Sequence, residues 1–96
     1  MLSVYQQKVL IKLFFKKILK SKDFKDIYKH KVAFYRAIKY LMNSQLVYKE
    51  NGSEEYKLTL NGDILSRILL TLTDVPEHLR QYSRVLRTTD EVDLDW

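Results

Sequence analysis

Residues 32–69 read VAFYRAIKYLMNSQLVYKENGSEEYKLTLNGDILSRIL, and the hydrophobic period changes twice along them. Over 31–44, Phe34, Ile38 and Leu41 recur at helical spacing with Ala37 beside them. That pattern predicts a helix with one buried face. The other face carries Lys31, Val32, Tyr35, Arg36 and Lys39. Over LVYKE (46–50) and EYKLTL (55–60) the period drops to two and Val, Tyr and Thr are enriched, which predicts two strands. NGSE lies between them, with Asn51-Gly52 at the tip, so the strands should form a β-hairpin. At Asn61-Gly62 the helical period returns, and a helix is expected to about Thr71 through Ile64, Leu65, Ile68, Leu69 and Leu72.

Upstream, residues 4–20 predict a first helix with Ser3 as its cap. Val9, Leu10, Leu13, Phe14 and Ile18 form one apolar row; Ile11, Phe15 and Leu19 form a second. Lys8, Lys12, Lys16 and Lys20 recur every four residues as a ridge of like charge, expected to be exposed or near an anion. A basic amphipathic helix of this kind can lie on lipid. The core reading is preferred, because the hairpin and helices downstream need a surface to pack on. DFKDIYK (23–29) predicts a short helix with Asp23 as cap and Phe24, Ile27 and Tyr28 inward. Downstream, Pro76 suits the first turn of a helix over 76–87. The tail 88–96 is acidic and has no helical stripe.

The expected order is helix, short helix, helix, hairpin, helix, helix. The fold class is therefore mainly α with a small β-hairpin (α+β). Residues 32–69 resemble winged helix-turn-helix transcriptional regulators of the MarR and PadR type, in the compact form common in archaea and their viruses. Arg36, Ile38, Leu41, Leu46 and Val47 fill the family pattern that ends its recognition helix. Tyr56, Leu58, Thr59 and Gly62 fill the "Y-x-L-T-x-x-G" that follows the wing. Gln45 stands where the family has Gly, so the turn there is expected to form without a residue that is free to be left-handed. The link from Tyr28 to Val32 is short, the third helix lacks a Ser or Thr cap, and only Ser21 to Phe24 remain for the family's small strand.

The resemblance implies a winged helix-turn-helix with C-terminal helices: 1–74 binding DNA, 75–87 dimerising, 88–96 an acidic flexible tail. It implies sequence-specific binding of double-stranded DNA and regulation of transcription, with repression the expected sign. The recognition helix would enter the major groove and the wing, 48–57, would lie near the minor groove. The residues agree. Arg36 can fork onto a guanine edge, and Lys31, Val32, Tyr35 and Lys39 share its face. Lys29 and His30 precede the helix and suit phosphates. Lys49 and Lys57 flank a slim tip of Asn51, Gly52 and Ser53, against the acids Glu50, Glu54 and Glu55. A homodimer is expected through Ile64, Ile68, Leu72, Tyr82 and Leu86, with Ile11 and Phe15 as further candidates.

Composition bounds these readings. The 96 residues are 46% hydrophobic and carry two Gly, one Pro and no Cys. That suits one domain of long elements without disulfides. The net charge of +5 is uneven: residues 1–48 hold eleven Lys or Arg against two acids, residues 49–96 six against ten. A basic half points to a polyanion. No signal peptide and no apolar run of spanning length is visible, so a cytoplasmic protein without a membrane partner is expected. His30 and His78 lack metal spacing, Glu54-Glu55 sits on a turn, and no Gly-rich phosphate loop occurs. A non-enzyme without cofactor is expected. The alternatives are a protein-interaction winged helix and an RNA or single-strand binder, the latter because seven Tyr and four Phe can stack bases.

Overall fold

The computed structural model describes residues 2–72. The expected helix over 76–87, the tail and the side chains of Leu72, Tyr82 and Leu86 lie outside the described residues. Within them the chain is a small α+β fold of three α-helices and a three-stranded antiparallel sheet.

Helix α1, Val4–Lys16, starts at a reciprocal cap. The Gln6 amide N–H donates to Ser3 Oγ (3.1 Å), and the Ser3 N–H donates to Gln6 Oε1 (2.9 Å). The helix ends at Lys16 rather than Lys20. Lys17 adopts φ 73°, ψ −52°, and the Ile18 N–H donates to the Lys16 carbonyl (2.9 Å), a γ-turn that throws the chain sideways. Leu19–Lys20 then form strand β1. Leu19 faces Tyr56 and Lys20 faces Glu55 across the ladder. Strand alternation puts Leu19 inside and leaves Ile18, expected in the core row, exposed. Ladder pairing here overrides the helical period of the sequence.

Ser21–Phe24 are a 3-10 turn, and no α-helix follows over 23–29. The Ile27 and Tyr28 N–H groups both donate to the Phe24 carbonyl (3.0 Å each). Asp23 caps from inside the turn: its carboxylate accepts the Lys20 N–H (2.8 Å). Phe24 and Ile27 are buried all the same. Lys12 holds this segment to α1. Its Nζ donates to the Asp23 carbonyl and to Asp26 Oδ1 (2.9 Å), and the residue is only 4% exposed. The lysine ridge is therefore interrupted by a buried member. The sequence period cannot distinguish a lysine that faces water from one that crosses to a carboxylate.

Helix α2, Lys31–Asn43, buries Phe34, Ala37, Ile38 and Leu41, as its period predicts. Phe34 stacks on Phe24 (centroids 5.0 Å) and meets Tyr56 edge-on (5.9 Å). These rings weld α2 to the sheet. The helix ends in a Schellman motif: the Leu46 N–H donates to Leu41 O and the Gln45 N–H to Met42 O (3.0 Å each). That geometry needs a left-handed residue, and Gln45 supplies it at φ 60°. The turn is made without glycine: the two closing hydrogen bonds impose αL on a residue that disfavours it.

Strand β2, Val47–Tyr48, pairs antiparallel with β3, Glu55–Leu58, and the sheet order is β1-β3-β2. Gly52, at φ 81°, occupies the third place of a turn closed by the Ser53 N–H onto Glu50 O (3.0 Å). Asn51 is not left-handed, so the turn is type II rather than the primed form that Asn-Gly favours. Helix α3, Leu60–Leu72, starts before the expected Asn61 because Thr59 caps it. Thr59 Oγ1 accepts the Gly62 N–H (3.0 Å) and donates to Gln45 O (2.6 Å). Leu65, Leu69 and Leu70 pack on the core, while buried Ser66 donates to Gly62 O (2.8 Å). Leu60, Ile64 and Ile68 remain exposed along the other side of α3.

The core joins α1, α2 and the sheet through Val9, Leu10, Ile11, Leu13, Phe24, Phe34, Ile38, Leu41, Val47 and Tyr56. Ile11 is 1% exposed and Phe15 packs against this core. Ile11 is thus used within the chain and is removed from the expected dimer surface.

Candidate nucleic-acid interface

The inward residues of α2 fix what points outward. With 100° per residue, the direction opposite the Phe34–Ala37–Ile38–Leu41 face falls on Val32, Arg36, Lys39 and Asn43. All four are exposed, Val32 to 63%. Tyr35 and Met42 flank the stripe on one side, Ala33 and Tyr40 on the other. No Asp or Glu occurs anywhere in α2. Arg36, Lys39 and Asn43 have no hydrogen-bond or ion-pair partner among the described residues. An acid three or four places away would steady an arginine on a solvated helix; Arg36 has Val32, Ala33, Lys39 and Tyr40 there.

The start of α2 is also unusual in its charge. Its cap residue His30 makes no side-chain capping bond, and its first turn holds no acid. Lys29, His30 and Lys31 are all exposed there. Cations at a helix N-terminus oppose the macrodipole, and an anion brought to that end would relieve both. Helices α1 and α3, by contrast, are capped by Ser3 and Thr59.

The wing divides between two faces. Tyr56 turns inward, and Lys49 Nζ lies 5.6 Å from its ring. Tyr35 packs edge-on against Phe34 (5.3 Å) and lies close enough to Tyr56 for its charge to help raise that phenol's pKa, after burial. Lys49 therefore adjoins the Tyr35 flank of α2. Lys57 is opposite Tyr48 in the ladder and faces the other way. It lies 4.0 Å from Glu50 and lines an open groove of about 410 Å³ with Phe14, Lys17, Ile18, Tyr48 and Leu60. Asn51 and Gly52 stand exposed at the tip between these faces.

The residues named from sequence thus fall into a group on or beside α2 (Lys29, His30, Lys31, Val32, Tyr35, Arg36, Lys39, Lys49) and a group apart from it (Lys57). Asn43 and Tyr40, exposed on or beside the same stripe, were not among the residues named from sequence. The signal for Asn43 was present, since the phase 32, 36, 39 continues to 43. Among the described residues no group of three metal-ligating side chains occurs, and no helix is long and apolar enough to cross a membrane. No family model, curated protein or solved structure matches the chain.

Proposed function

We infer that the chain is a winged-helix protein that binds double-stranded DNA with α2 in the major groove and regulates transcription, repression being the expected sign. One observation carries this reading: α2 presents an acid-free exposed face whose Arg36, Lys39 and Asn43 have no partner among the described residues. Long donors on a helix held rigidly by a buried aromatic cluster are what base edges and phosphates require. A strand between α1 and α2 and a hairpin directly after α2 follow the order that the resemblance implies, with the strand at Leu19–Lys20 instead of Ser21 to Phe24 and a 3-10 turn in place of the short helix. Lys49 and the tip residues Asn51 and Gly52 supply a second contact, and the cytoplasm is the expected compartment.

The protein acts as a homodimer in this reading. Ile64 and Ile68 are each 46% exposed on α3 and are continuous with exposed Leu60. An exposed apolar ridge of this kind suits a two-fold interface.

The test is anisotropy of a labelled mixed-sequence 30-base-pair duplex at several salt concentrations. A dimer making about six phosphate contacts gives a log–log salt slope near −5. Changing Lys31, Arg36 and Lys39 together to Ala should remove most of the affinity. A triple variant that binds as well as wild type would remove α2 from the interface.

A further inference from the structure

Resting on that DNA-binding reading, we propose that α2 reads bases along its whole length, with Asn43 selecting an adenine about three base-pair steps from a guanine held by Arg36. The outward stripe does not stop at the first turns of the helix. Val32, Arg36, Lys39 and Asn43 share one direction, and all four are exposed. A helix presented end-on to the groove would need such residues only near its start; here the last turn carries one as well.

The end of α2 explains why the Asn43 amide is available. Asparagine near a helix terminus commonly turns back to bond its own backbone. In this chain the closing N–H groups already have backbone acceptors: Ser44 donates to Tyr40 O (2.9 Å), Gln45 to Met42 O and Leu46 to Leu41 O. The amide of Asn43 keeps a donor and an acceptor side by side, which match N7 and N6 of adenine. The guanidinium of Arg36 matches O6 and N7 of guanine in the same bidentate way.

Helix rise sets the spacing. Asn43 follows Arg36 by seven positions, about 10 Å along the axis at about 1.5 Å per residue. Bases on one strand are about 3.4 Å apart, so the two contacts fall about three steps from each other. Val32 lies about 6 Å before Arg36. Its exposed methyl groups suit a thymine methyl about two steps on the other side of the guanine. The half-site therefore covers about five steps, with a guanine inside it and A·T pairs at both ends.

The experiment is selection from a random duplex library with wild type, Asn43→Ala and Arg36→Ala, followed by titration of the selected site and of mixed-sequence duplex. Circular dichroism verifies the fold of each variant; Asn43 and Arg36 are both exposed. Wild type should select guanine and adenine about three steps apart. Asn43→Ala should lose the adenine preference alone, weakening binding to the selected site about tenfold. Its binding to mixed-sequence duplex should stay within about twofold, because an uncharged amide adds little to phosphate affinity. Placing 7-deazaadenine at that position should reproduce the loss with wild-type protein. The proposal is overturned if Asn43→Ala selects the same motif, or loses affinity equally for every duplex. If wild type binds all duplexes alike, base reading falls and DNA binding stands; if it binds none, both fall.

Discussion

Gly62 lies against the backbone of Leu46 so closely that a Cβ added to the glycine would sit 1.9 Å from the Leu46 carbonyl oxygen. The same carbonyl accepts the Thr59 N–H (3.1 Å), so it cannot swing away without opening the start of α3. The T-x-x-G run thus joins the end of α2 to the start of α3: Thr59 caps one and holds Gln45 of the other, and Gly62 lets them touch.

Gly62→Ala should consequently destabilise the protein, although alanine is the better helix former by about 1 kcal/mol. The backbone has to shift, and overpacking of this kind costs about 3 kcal/mol. Urea unfolding followed by circular dichroism measures it. A neutral or stabilising alanine would show that the close approach is absent.

Gln45→Gly should act in the opposite direction. Gln45 holds φ 60° at the closing turn of α2. Relief of the left-handed strain outweighs the extra freedom of glycine in the unfolded chain, for a net gain of about 1 kcal/mol. Thermal and urea midpoints should both rise, and DNA affinity should stay level because the Gln45 side chain is not part of the reading stripe.

Lys12 ties α1 to the segment that leads into α2. Its loss leaves the Asp23 carbonyl and the Asp26 carboxylate without their cation. Asp26 is 37% exposed and stays solvated, so Lys12→Ala should cost about 2 kcal/mol, below the range for a fully buried pair. Lys12→Met, which keeps a buried apolar stem of similar length, should cost clearly less. Equal losses in the two variants would mean that the ammonium and its hydrogen bonds, and not packing of the stem, are what Lys12 contributes.

Alkaline pH should loosen the fold through Tyr28. Burial, and then the nearby Tyr5, push its pKa up to about 12, from an ordinary value of about 10. The neutral phenol is favoured in the folded chain. The stability it contributes is complete below about pH 10 and is lost as pH rises through about 12. Urea midpoints measured from pH 8 to 12 should fall more steeply for wild type than for Tyr28→Phe. Parallel curves would remove Tyr28 as the cause.

Dimerisation through α3 is tested by Ile64→Lys combined with Ile68→Lys. Sedimentation should report a shift from dimer to monomer, and the salt slope of DNA binding should fall to about half as phosphate contacts per complex halve. Retained dimers would move the interface off this ridge.

Much of the architecture is legible in the sequence because it depends on local period. Phe34, Ile38 and Leu41 mark the inward face of α2, and the alternation around Asn51-Gly52 marks the hairpin. Their outward complement, Arg36 and Lys39, follows by subtraction, and Asn43 was within reach of the same counting. What the period could not reveal depends on partners distant in sequence. Leu19 is helical by spacing, yet pairing with Tyr56 makes it a strand residue. Lys12 is a surface residue by type, yet Asp26 draws it inside. Gln45 adopts a glycine's conformation because the backbone bonds of Leu46 close there, and Lys57 parts from Lys49 because neighbouring strand positions face opposite ways. The sequence by itself determined which residues are apolar, at what period, and with what charge. Only the tertiary structure decided which backbone groups pair and which charges are buried, since those choices are set by contacts that no local stretch contains.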